Sequence, residues 1–348
     1  MPHINHFHLD YISALRSEGH EVYVMANGDG ADFNVKFEKK MLSFENLKCQ
    51  RIIKRILKEE KFDVIILNTT LAAFNIRLAM PKKNRPCVIN IVHGYMFPFK
   101  IKSIKDRIFF LCEKILSKKT DALIVMNTED YTIAKKHKLS IGPTAFIYGM
   151  GAEVSKQKTD ASEIRKELSI EDKYIISFVG ELCTAKNQSM LIRALPEIQK
   201  SIPSACILLV GEGGAREELA ALADEFGVSD SVHFVGHRPN PCDYIRASDL
   251  YVSASKKEGL PFNIIEALGC GVNVLASDIK GHRDIIEDGI SGSLFNLFEM
   301  EDFVSKVKMI HDKEICFTKD NILARYEIFA KHNVFPKTYS VIKELMKG

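Results

Sequence analysis

The sequence predicts an α/β protein with two doubly wound parallel sheets. Short β-branched apolar runs alternate with helix-like patterns through both halves of the chain, which is typical of repeated strand-helix units. The 348 residues are enough for two domains of similar size, each with a core of its own.

The first half contains five predicted strands and an early helix. The strands are Glu21 to Met25, Val64 to Leu67, Val88 to Val92, Leu123 to Met126 and Ala145 to Ile147. The helix pattern, with apolar residues from Leu9 to Leu15, follows almost directly on Met1. Because such a half normally opens on an apolar strand, we expect either a late start through a truncated reading frame or a domain that has lost its first strand.

The second half repeats the same alternation. Its predicted strands are Ile175 to Val179, Cys206 to Val210, Val232 to Val235, Leu250 to Val252 and Val272 to Leu275. Its predicted helices are Gln188 to Ser201, Arg216 to Phe226, Pro261 to Gly269 and Arg283 to Asp288. In a sheet of this class, ligands bind where loops leave the carboxyl ends of the strands.

The pattern divides the chain into three parts. We predict an N-terminal domain of residues 1–155, a C-terminal domain of residues 156–330 and a final helix, residues 331–348, that crosses back to the first domain. The polar stretch Glu153 to Ser162 is the predicted linker.

Charge and cysteine usage limit the possible functions. Residues 1–150 carry a net charge of +9 and the remainder −6, and the basic excess peaks on a predicted amphipathic helix within residues 100–119. Such a helix suits an anionic membrane surface, although most charged helix faces are only solvated. Without interleaved aromatic residues it does not suit a nucleic-acid strand.

The eight dispersed cysteines predict neither disulfides nor a zinc site, and the absence of a spanning segment or signal peptide predicts a cytoplasmic protein.

The segment with the most informative chemistry runs from Ser253 to Gly269, where strand, loop and helix follow in order. Pro261 suits a first helical turn, so the amides from Leu260 to Asn263 form a positive socket for a diphosphate. Glu258 in the loop and Glu266 within the helix are two hydrogen-bond acceptors at different distances from this socket, as the binding of a sugar and a ribose requires. The alternative is that both are ordinary solvated glutamates near a helix start.

Other loops follow strands at equivalent places. Lys186, after the strand that ends at Val179, is positioned to neutralise phosphate. Gly180, Gly211 and Gly236 are turns after strands, and each is a weak signal alone because glycine ends many strands.

Together these motifs resemble the family 4 glycosyltransferases. The resemblance covers most of residues 174–292 and is carried by the following series: Gly180…Lys186-Asn187, Gly211-x-Gly213, Val232-x-Phe234-x-Gly236, Glu258-Gly259-Leu260-Pro261, Glu266-Ala267, Gly271 and Asp288-Gly289-x-x-Gly292. In the first half it rests on Gly19-His20-Glu21-Val22 and on Ile91-Val92-His93-Gly94. It implies the glycosyltransferase-B fold, two Rossmann-like domains facing a cleft, with metal-independent, retaining transfer from a nucleotide sugar.

The resemblance also implies a set of site residues. Lys186 would bind the donor diphosphate together with Gly180, Gly211 and the backbone of Gly259, Leu260, Pro261 and Phe262. Glu258 would bind the sugar hydroxyls, Glu266 the ribose, and Gly236, His237 and Arg238 would lie near the base. His93 matches a histidine near the reacting sugar. No metal or cofactor is implied, and UDP is the nucleotide expected on family grounds.

The same resemblance suggests polysaccharide assembly: exopolysaccharide, capsule or lipopolysaccharide. The acceptor would be a glycan or a lipid-linked saccharide. The basic helix within residues 100–119 would place the enzyme peripherally on the inner face of the plasma membrane. Many family members have an arginine where this chain has Glu181. Two alternatives stay open: a nucleotide-sugar 2-epimerase on the same architecture, or a non-catalytic nucleotide-sugar-binding subunit, which Glu181 and the absent strand would favour.

Two further hypotheses are weaker. A dinucleotide oxidoreductase is disfavoured because no Gly-x-Gly-x-x-Gly loop with a downstream acidic residue opens either half. His3, His6 and His8 resemble a metal cluster but lack nearby carboxylates or cysteines to complete it. We interpret the stretch from Pro2 to His8 as a loop entering the first helix.

Overall fold

A computed structural model describes residues 8–38, 43–101 and 103–347. The chain forms two compact units, one comprising the residues up to Met150 and those from Val334 onward, and the other spanning Gly151–Asn333. The predicted loop from Pro2 to His8, including His3 and His6, lies outside the described residues except for His8.

Unit 1 contains a parallel four-stranded sheet and a separate parallel strand pair. Its elements, in chain order, are α1 (Leu9–Ser17), β1 (Met25–Ala26), β2 (Phe33–Asn34), α2 (Phe44–Glu59), β3 (Val64–Leu67), α3 (Thr70–Ala79), β4 (Cys87–Val92), α4 (Ile104–Leu116), β5 (Ala122–Val125), α5 (Thr128–His137) and β6 (Thr144–Phe146). The sheet order is β3-β4-β5-β6, and β1 pairs with β2. The central strands β4 and β5 are buried, whereas β3 at the edge is only half-buried over most of its length.

Unit 2 is a six-stranded parallel sheet covered by helices. Its elements are α6 (Ala161–Glu167), β7 (Tyr174–Val179), α7 (Gln188–Ser201), β8 (Ala205–Val210), α8 (Arg216–Glu225), β9 (Val232–Gly236), α9 (Pro241–Arg246), β10 (Leu250–Ser253), α10 (Phe262–Gly269), β11 (Asn273–Ser277), α11 (His282–Ile285), β12 (Ser293–Phe295), α12 (Met300–His311) and α13 (Lys319–Phe329). The strand order is β12-β11-β10-β7-β8-β9. Strands β7, β8, β10 and β11 are almost wholly buried, as the continuous apolar runs predict, whereas the edge strand β9 is half-buried at three of its five residues.

The last helix, α14 (Lys331–Lys347), contributes to unit 1 from Val334 onward. The Thr338 hydroxyl donates to the Gly149 carbonyl at 2.7 Å, and Lys343 pairs with Glu18 at 2.9 Å. None of the described helices is both long and apolar enough to cross a membrane.

One predicted strand of unit 1 needs correction. The predicted strand Glu21 to Met25 is too long, because strand structure is confined to β1 at Met25–Ala26, which pairs at two positions with β2. Among the described strands β1 is paired with β2 and not with β3, and Val24 extends this pairing through its carbonyl, which accepts from Phe33 N at 3.1 Å. Within the predicted linker, Lys158 and Thr159 donate backbone N–H groups to Asp243 of α9.

Candidate donor-binding site

The strand order of unit 2 places its reversal between β7 and β10. Strands β8 and β9 continue on one side of β7, and β10, β11 and β12 continue on the other. The loops after β7 and β10 therefore leave the same edge of the sheet at a switch point, which is where open α/β sheets bind ligands. Lys186 lies on the first loop and Glu258 on the second.

Lys186 and Glu258 form an ion pair at this switch point. The Lys186 Nζ lies 2.6 Å from the Glu258 Oε1, and the two side chains are 24% and 13% exposed. The loops are also joined through their backbones, because Lys256 N donates to Ala185 O at 2.9 Å. Sequence reasoning assigned the two residues to different parts of a donor, and the structure brings them into direct contact.

Backbone packing beside this pair explains the glycines after the strands. Gly180 and Gly211 have φ of +146° and +140°, and a Cβ built on Gly211 would lie 2.0 Å from the Gly180 carbonyl oxygen. Gly211 N donates to Gly236 O at 2.8 Å. The structure thus brings the three predicted glycines together at one edge of the sheet, where a side chain on Gly211 would block the contact.

The predicted start of α10 is displaced by one residue. Pro261 has an extended backbone and stands at the N-cap, so the helix begins at Phe262 rather than at the proline. Asn263 fixes this start by donating from Nδ2 to the Val179 carbonyl at 2.9 Å, at the end of β7. Leu260 is buried, and Gly259 directly precedes it in the loop. The first turn of α10 therefore lies against the end of the central strand.

His237 and Arg238 follow β9 and differ in their surroundings. His237 is exposed, whereas Arg238 is half-buried and its guanidinium lies over the Tyr244 ring, 5.7 Å from the centroid. The buried Nε of Arg238 has no hydrogen-bond partner within the described part of the chain. An unpartnered buried donor is costly unless something pairs with it, so Arg238 is the stronger ligand candidate of the two.

Glu266 is a carboxyl group whose surroundings favour the protonated form. Burial, with a smaller contribution from Cys242, raises its pKa from 4.5 to about 8. Burial also raises the pKa of Tyr251 well above its usual value, and both Glu266 and Glu258 add to that rise. The two glutamates of the motif therefore act electrostatically on the same buried phenol.

This shifted pKa predicts that stability depends on pH through Glu266. Between the ordinary pKa and about 8 the folded chain holds a proton that the unfolded chain has released, so stability falls as pH rises through that window. We expect Glu266→Gln to raise the thermal midpoint more at about pH 8.5 than at about pH 5.5, measured by circular dichroism. Glu171→Gln, at an exposed glutamate, is the control and should change little at either pH. If E266Q changed the thermal midpoint equally at both pH values, the raised pKa of Glu266 would be contradicted.

His282 is a site residue that sequence reasoning missed. It is fully buried, its Nδ1 donates to the Ser277 carbonyl at 2.8 Å, and its Nε2 lies 3.4 Å from the Ser253 hydroxyl. Burial lowers its pKa to about 4, so the ring is neutral at neutral pH. The preceding Gly281 packs on the Gly259 carbonyl, where a Cβ would lie at 2.6 Å. The only sequence signal was a Gly-His pair shortly after a strand.

His93 belongs to unit 1 and follows β4 directly. Its ring makes an edge contact with His8, with centroids 6.0 Å apart. Its role near a reacting sugar stays a prediction. Within the described ranges, no group of three or more His, Cys, Asp or Glu side chains could hold a metal ion.

Comparison with known proteins extends the sequence motifs over most of the chain. The family model described as Glycosyltransferase Family 4 matches residues 6–139, and that described as Glycosyl transferases group 1 matches residues 160–326. The two matches cover both units of the structure.

Two relatives and one solved structure show the same likeness. The protein is 29% identical over 328 residues to a Bacillus subtilis protein named as a glycosyltransferase, EpsD, covering 90% of this chain and 86% of the relative. It is 26% identical over 272 residues to the Escherichia coli UDP-Gal:alpha-D-GlcNAc-diphosphoundecaprenol alpha-1,3-galactosyltransferase, covering 75% and 69%. The structure of Anabaena HepE in complex with UDP and glucose aligns with a TM-score of 0.72 at 20% identity, over 96% of this chain and 89% of that one.

The parallel sheets, the loops at the switch point and the two family matches lead to one assignment. The chain belongs to the family 4 glycosyltransferases and has the glycosyltransferase-B fold.

Proposed function

We propose that the protein is a retaining, metal-independent glycosyltransferase that moves a sugar from a UDP-sugar to a saccharide or lipid-linked acceptor. The observation that carries this proposal is the Lys186–Glu258 ion pair at the switch point of unit 2. The UDP complex of HepE and the undecaprenyl-linked acceptor in the name of the E. coli relative support the choice of donor and acceptor class.

In the proposed reaction, negative charge develops on the departing diphosphate. Lys186 and the N-terminal turn of α10 supply positive charge and oriented dipoles for it. Glu258 accepts hydrogen bonds from the sugar hydroxyls, and its ion pair with Lys186 keeps sugar and phosphate binding coupled. Glu266 binds the ribose from within α10.

Retention is assigned to attack on the face that the diphosphate leaves. The sugar–phosphate bond breaks as the acceptor oxygen bonds to the same carbon, and a phosphate oxygen takes the acceptor proton. In this mechanism Glu258 orients the sugar and does not attack it. His93 is proposed to act beside the reacting sugar.

Arg238 is proposed to supply the second cation of the donor site. Glu181 occupies the position where the family resemblance implies arginine, and its side chain is exposed. Arg238 is half-buried with a buried Nε that lacks a partner among the described residues. We therefore assign the second phosphate or base contact to Arg238, with exposed His237 contributing less.

A panel of UDP-, GDP- and ADP-sugars tests the donor assignment. We expect UDP-sugars alone to raise the thermal midpoint, with slow release of free UDP in the absence of acceptor. Analysis of the sugar product separates the alternatives, because an epimerase converts the donor without acceptor and a binding subunit releases no UDP. Stabilisation by GDP- or ADP-sugars instead would contradict the UDP assignment.

The acceptor is proposed to be reached at the cytoplasmic face of a membrane, through α4. This helix exposes four apolar side chains along one stripe: Ile104 at 77%, Ile108 at 55%, Leu111 at 56% and Ile115 at 60%. The sequence predicted a single apolar face, but Leu116 is buried toward the protein and the four aliphatic residues point outward. Lys105, Arg107 and Lys114 lie on the same helix, the combination that binds anionic lipid surfaces.

Vesicle flotation tests this surface. We expect the protein to bind vesicles rich in phosphatidylglycerol, less at high salt, and Ile108→Asp with Leu111→Asp to weaken binding at least about tenfold because apolar insertion is lost. Leu47→Asp with Ile52→Asp places the same charges on exposed positions of α2 and should bind as the wild type does. If both double variants bind equally well, α4 is not the membrane contact.

A further inference from the structure

Two cysteines that are far apart in the sequence meet at the ends of two helices of unit 2. Cys242 is buried in the first turn of α9, and the half-buried Cys270 directly follows the last residue of α10. The Cys270 Sγ lies 3.7 Å from the Cys242 carbonyl oxygen, and the two thiols are hydrogen-bonded to each other. The fold therefore places two sulfur atoms side by side.

The backbone on each side of this thiol pair is held in place. Arg246 of α9 pairs with Asp243 at 3.1 Å and donates to the Ser155 carbonyl at 2.6 Å. Gly269, at the end of α10, packs so closely that a Cβ there would lie 2.3 Å from the Val154 side chain. The ends of α9 and α10 are therefore held against the same short segment, which keeps the two cysteines together.

The surroundings of Cys242 stabilise its thiolate. The hydrogen bond from the Cys270 thiol lowers the pKa of Cys242 from 9.0 to about 6, although burial opposes the change, and Ser155 and Arg246 add to the lowering. The same hydrogen bond, together with burial, raises the pKa of Cys270. Cys206 in β8 shows the ordinary effect of burial, which raises its pKa to about 11. Because the thiolate is the reactive form, Cys242 is the nucleophile of the pair and Cys270 its partner.

A bond between the two sulfurs would close a loop around both glutamates of the donor site. The cysteines are 28 positions apart, and the chain between them, which we call the glutamate segment, contains Glu258 and Glu266. The Cys270 N–H also donates to the Glu266 carbonyl at 2.9 Å. A covalent link across a loop of this length reduces the conformational freedom of the unfolded chain and so stabilises the folded one.

We propose that Cys242 and Cys270 are a redox-sensitive site, at which hydrogen peroxide forms a reversible disulfide that closes the glutamate segment. The Cys242 thiolate attacks one peroxide oxygen, the O–O bond breaks, and hydroxide leaves as Cys242 becomes a sulfenic acid. The Cys270 sulfur then bonds to the Cys242 sulfur, the S–O bond breaks, and water leaves with the Cys270 proton. The two thiols lose two electrons, which reduce the peroxide to water and hydroxide. This inference is independent of the donor and acceptor assignments.

Peroxide treatment of the full chain tests the proposal. After the reaction, the remaining thiols are blocked with N-ethylmaleimide, and the linked peptides are identified by mass spectrometry. We expect a Cys242–Cys270 disulfide to form before the exposed Cys316 is oxidised, because Cys242 is the thiol with the stabilised thiolate. The thermal midpoint should rise by several degrees, and dithiothreitol should reverse both changes.

Three variants separate the roles of the two sulfurs. Cys270→Ser should stop at a sulfenic acid on Cys242, which dimedone traps, and its thermal midpoint should not rise on oxidation. Cys242→Ser leaves Cys270, whose raised pKa keeps it protonated, and should not react at that residue. Cys316→Ser is the control, because it removes a thiol outside the pair, and it should form the disulfide as the wild type does.

Specific outcomes would overturn the proposal. If peroxide oxidises other cysteines of the wild-type chain while Cys242 and Cys270 stay unlinked, the pair is not a redox site. If the disulfide forms without raising the thermal midpoint, it does not close the glutamate segment as proposed. Oxidation of Cys270 in Cys242→Ser at the wild-type rate would show that Cys242 is not the nucleophile.

Discussion

Replacing Lys186 with alanine should lower kcat/KM for sugar transfer by about 10²- to 10³-fold, the cost of removing one preorganised donor at a developing negative charge. The substitution removes the cation assigned to the diphosphate and leaves the Glu258 carboxylate, now 2.6 Å from Lys186 Nζ, without that ion pair. Initial rates with a UDP-sugar and a lipid-linked acceptor measure the effect. Glu258→Ala should cause a loss of the same order.

An exposed lysine–glutamate pair serves as the control that distinguishes a loss of catalysis from the mere loss of one positive charge. Lys200 pairs with Glu197 at 2.5 Å, but both side chains are well exposed, and exposed pairs contribute little to stability. Lys200→Ala should therefore leave the rate and the thermal midpoint near wild type. A Lys186→Ala enzyme that is folded and transfers at a near-normal rate would contradict the site assignment.

Replacing Gly211 with alanine should destabilise unit 2 by about 2–4 kcal/mol, since it combines backbone strain with a clash in a packed region. Its φ is +140°, and the added Cβ would lie 2.0 Å from the Gly180 carbonyl oxygen. Because backbone atoms meet at this contact, the loop after β7 must move to relieve it. Chemical denaturation measures the stability, and UDP-sugar affinity should fall with it.

Gly214 supplies the control in the same loop. A Cβ at Gly214 meets no atom within 4 Å, and its φ is not positive. Gly214→Ala should change the free energy of unfolding by less than about 0.5 kcal/mol, as surface substitutions usually do. If the two alanine variants are equally stable, the close packing at Gly180 and Gly211 does not constrain this edge of the sheet.

The elements of unit 2 were largely predictable from sequence. Helix α7 has the predicted bounds Gln188–Ser201, and the buried strands lie within a residue or two of their apolar runs. Long periodic segments between glycine turns carry enough local information for this. The short β12 and the two-residue β2 were missed, because so few residues carry no clear periodicity. Four helices of unit 2 (α6, α9, α12 and α13) were not predicted either, and the predicted helix Arg283 to Asp288 is confined to α11 at His282–Ile285.

Contacts between distant residues were not predictable in the same way. Lys186 and Glu258 are 72 positions apart, and their meeting depends on β7 and β10 being neighbours in the sheet order. His282 is buried by the same arrangement. On α4 the apolar spacing predicted an amphipathic helix, but only the packing decides that Ile108 and Leu111 face outward.

The length of the strand that follows α1 was not predictable from the sequence pattern alone. The sequence predicted a strand from Glu21 to Met25 because the run is apolar and alternating. In the structure only Met25–Ala26 pairs, since strand formation needs a partner as well as a pattern.

A crystal structure of the protein with bound UDP tests the central claim most directly. We expect the diphosphate within hydrogen-bond distance of Lys186 Nζ and against the first turn of α10, with the ribose at Glu266 and the base beside Arg238. UDP bound in unit 1, or in unit 2 away from Lys186, would contradict the account.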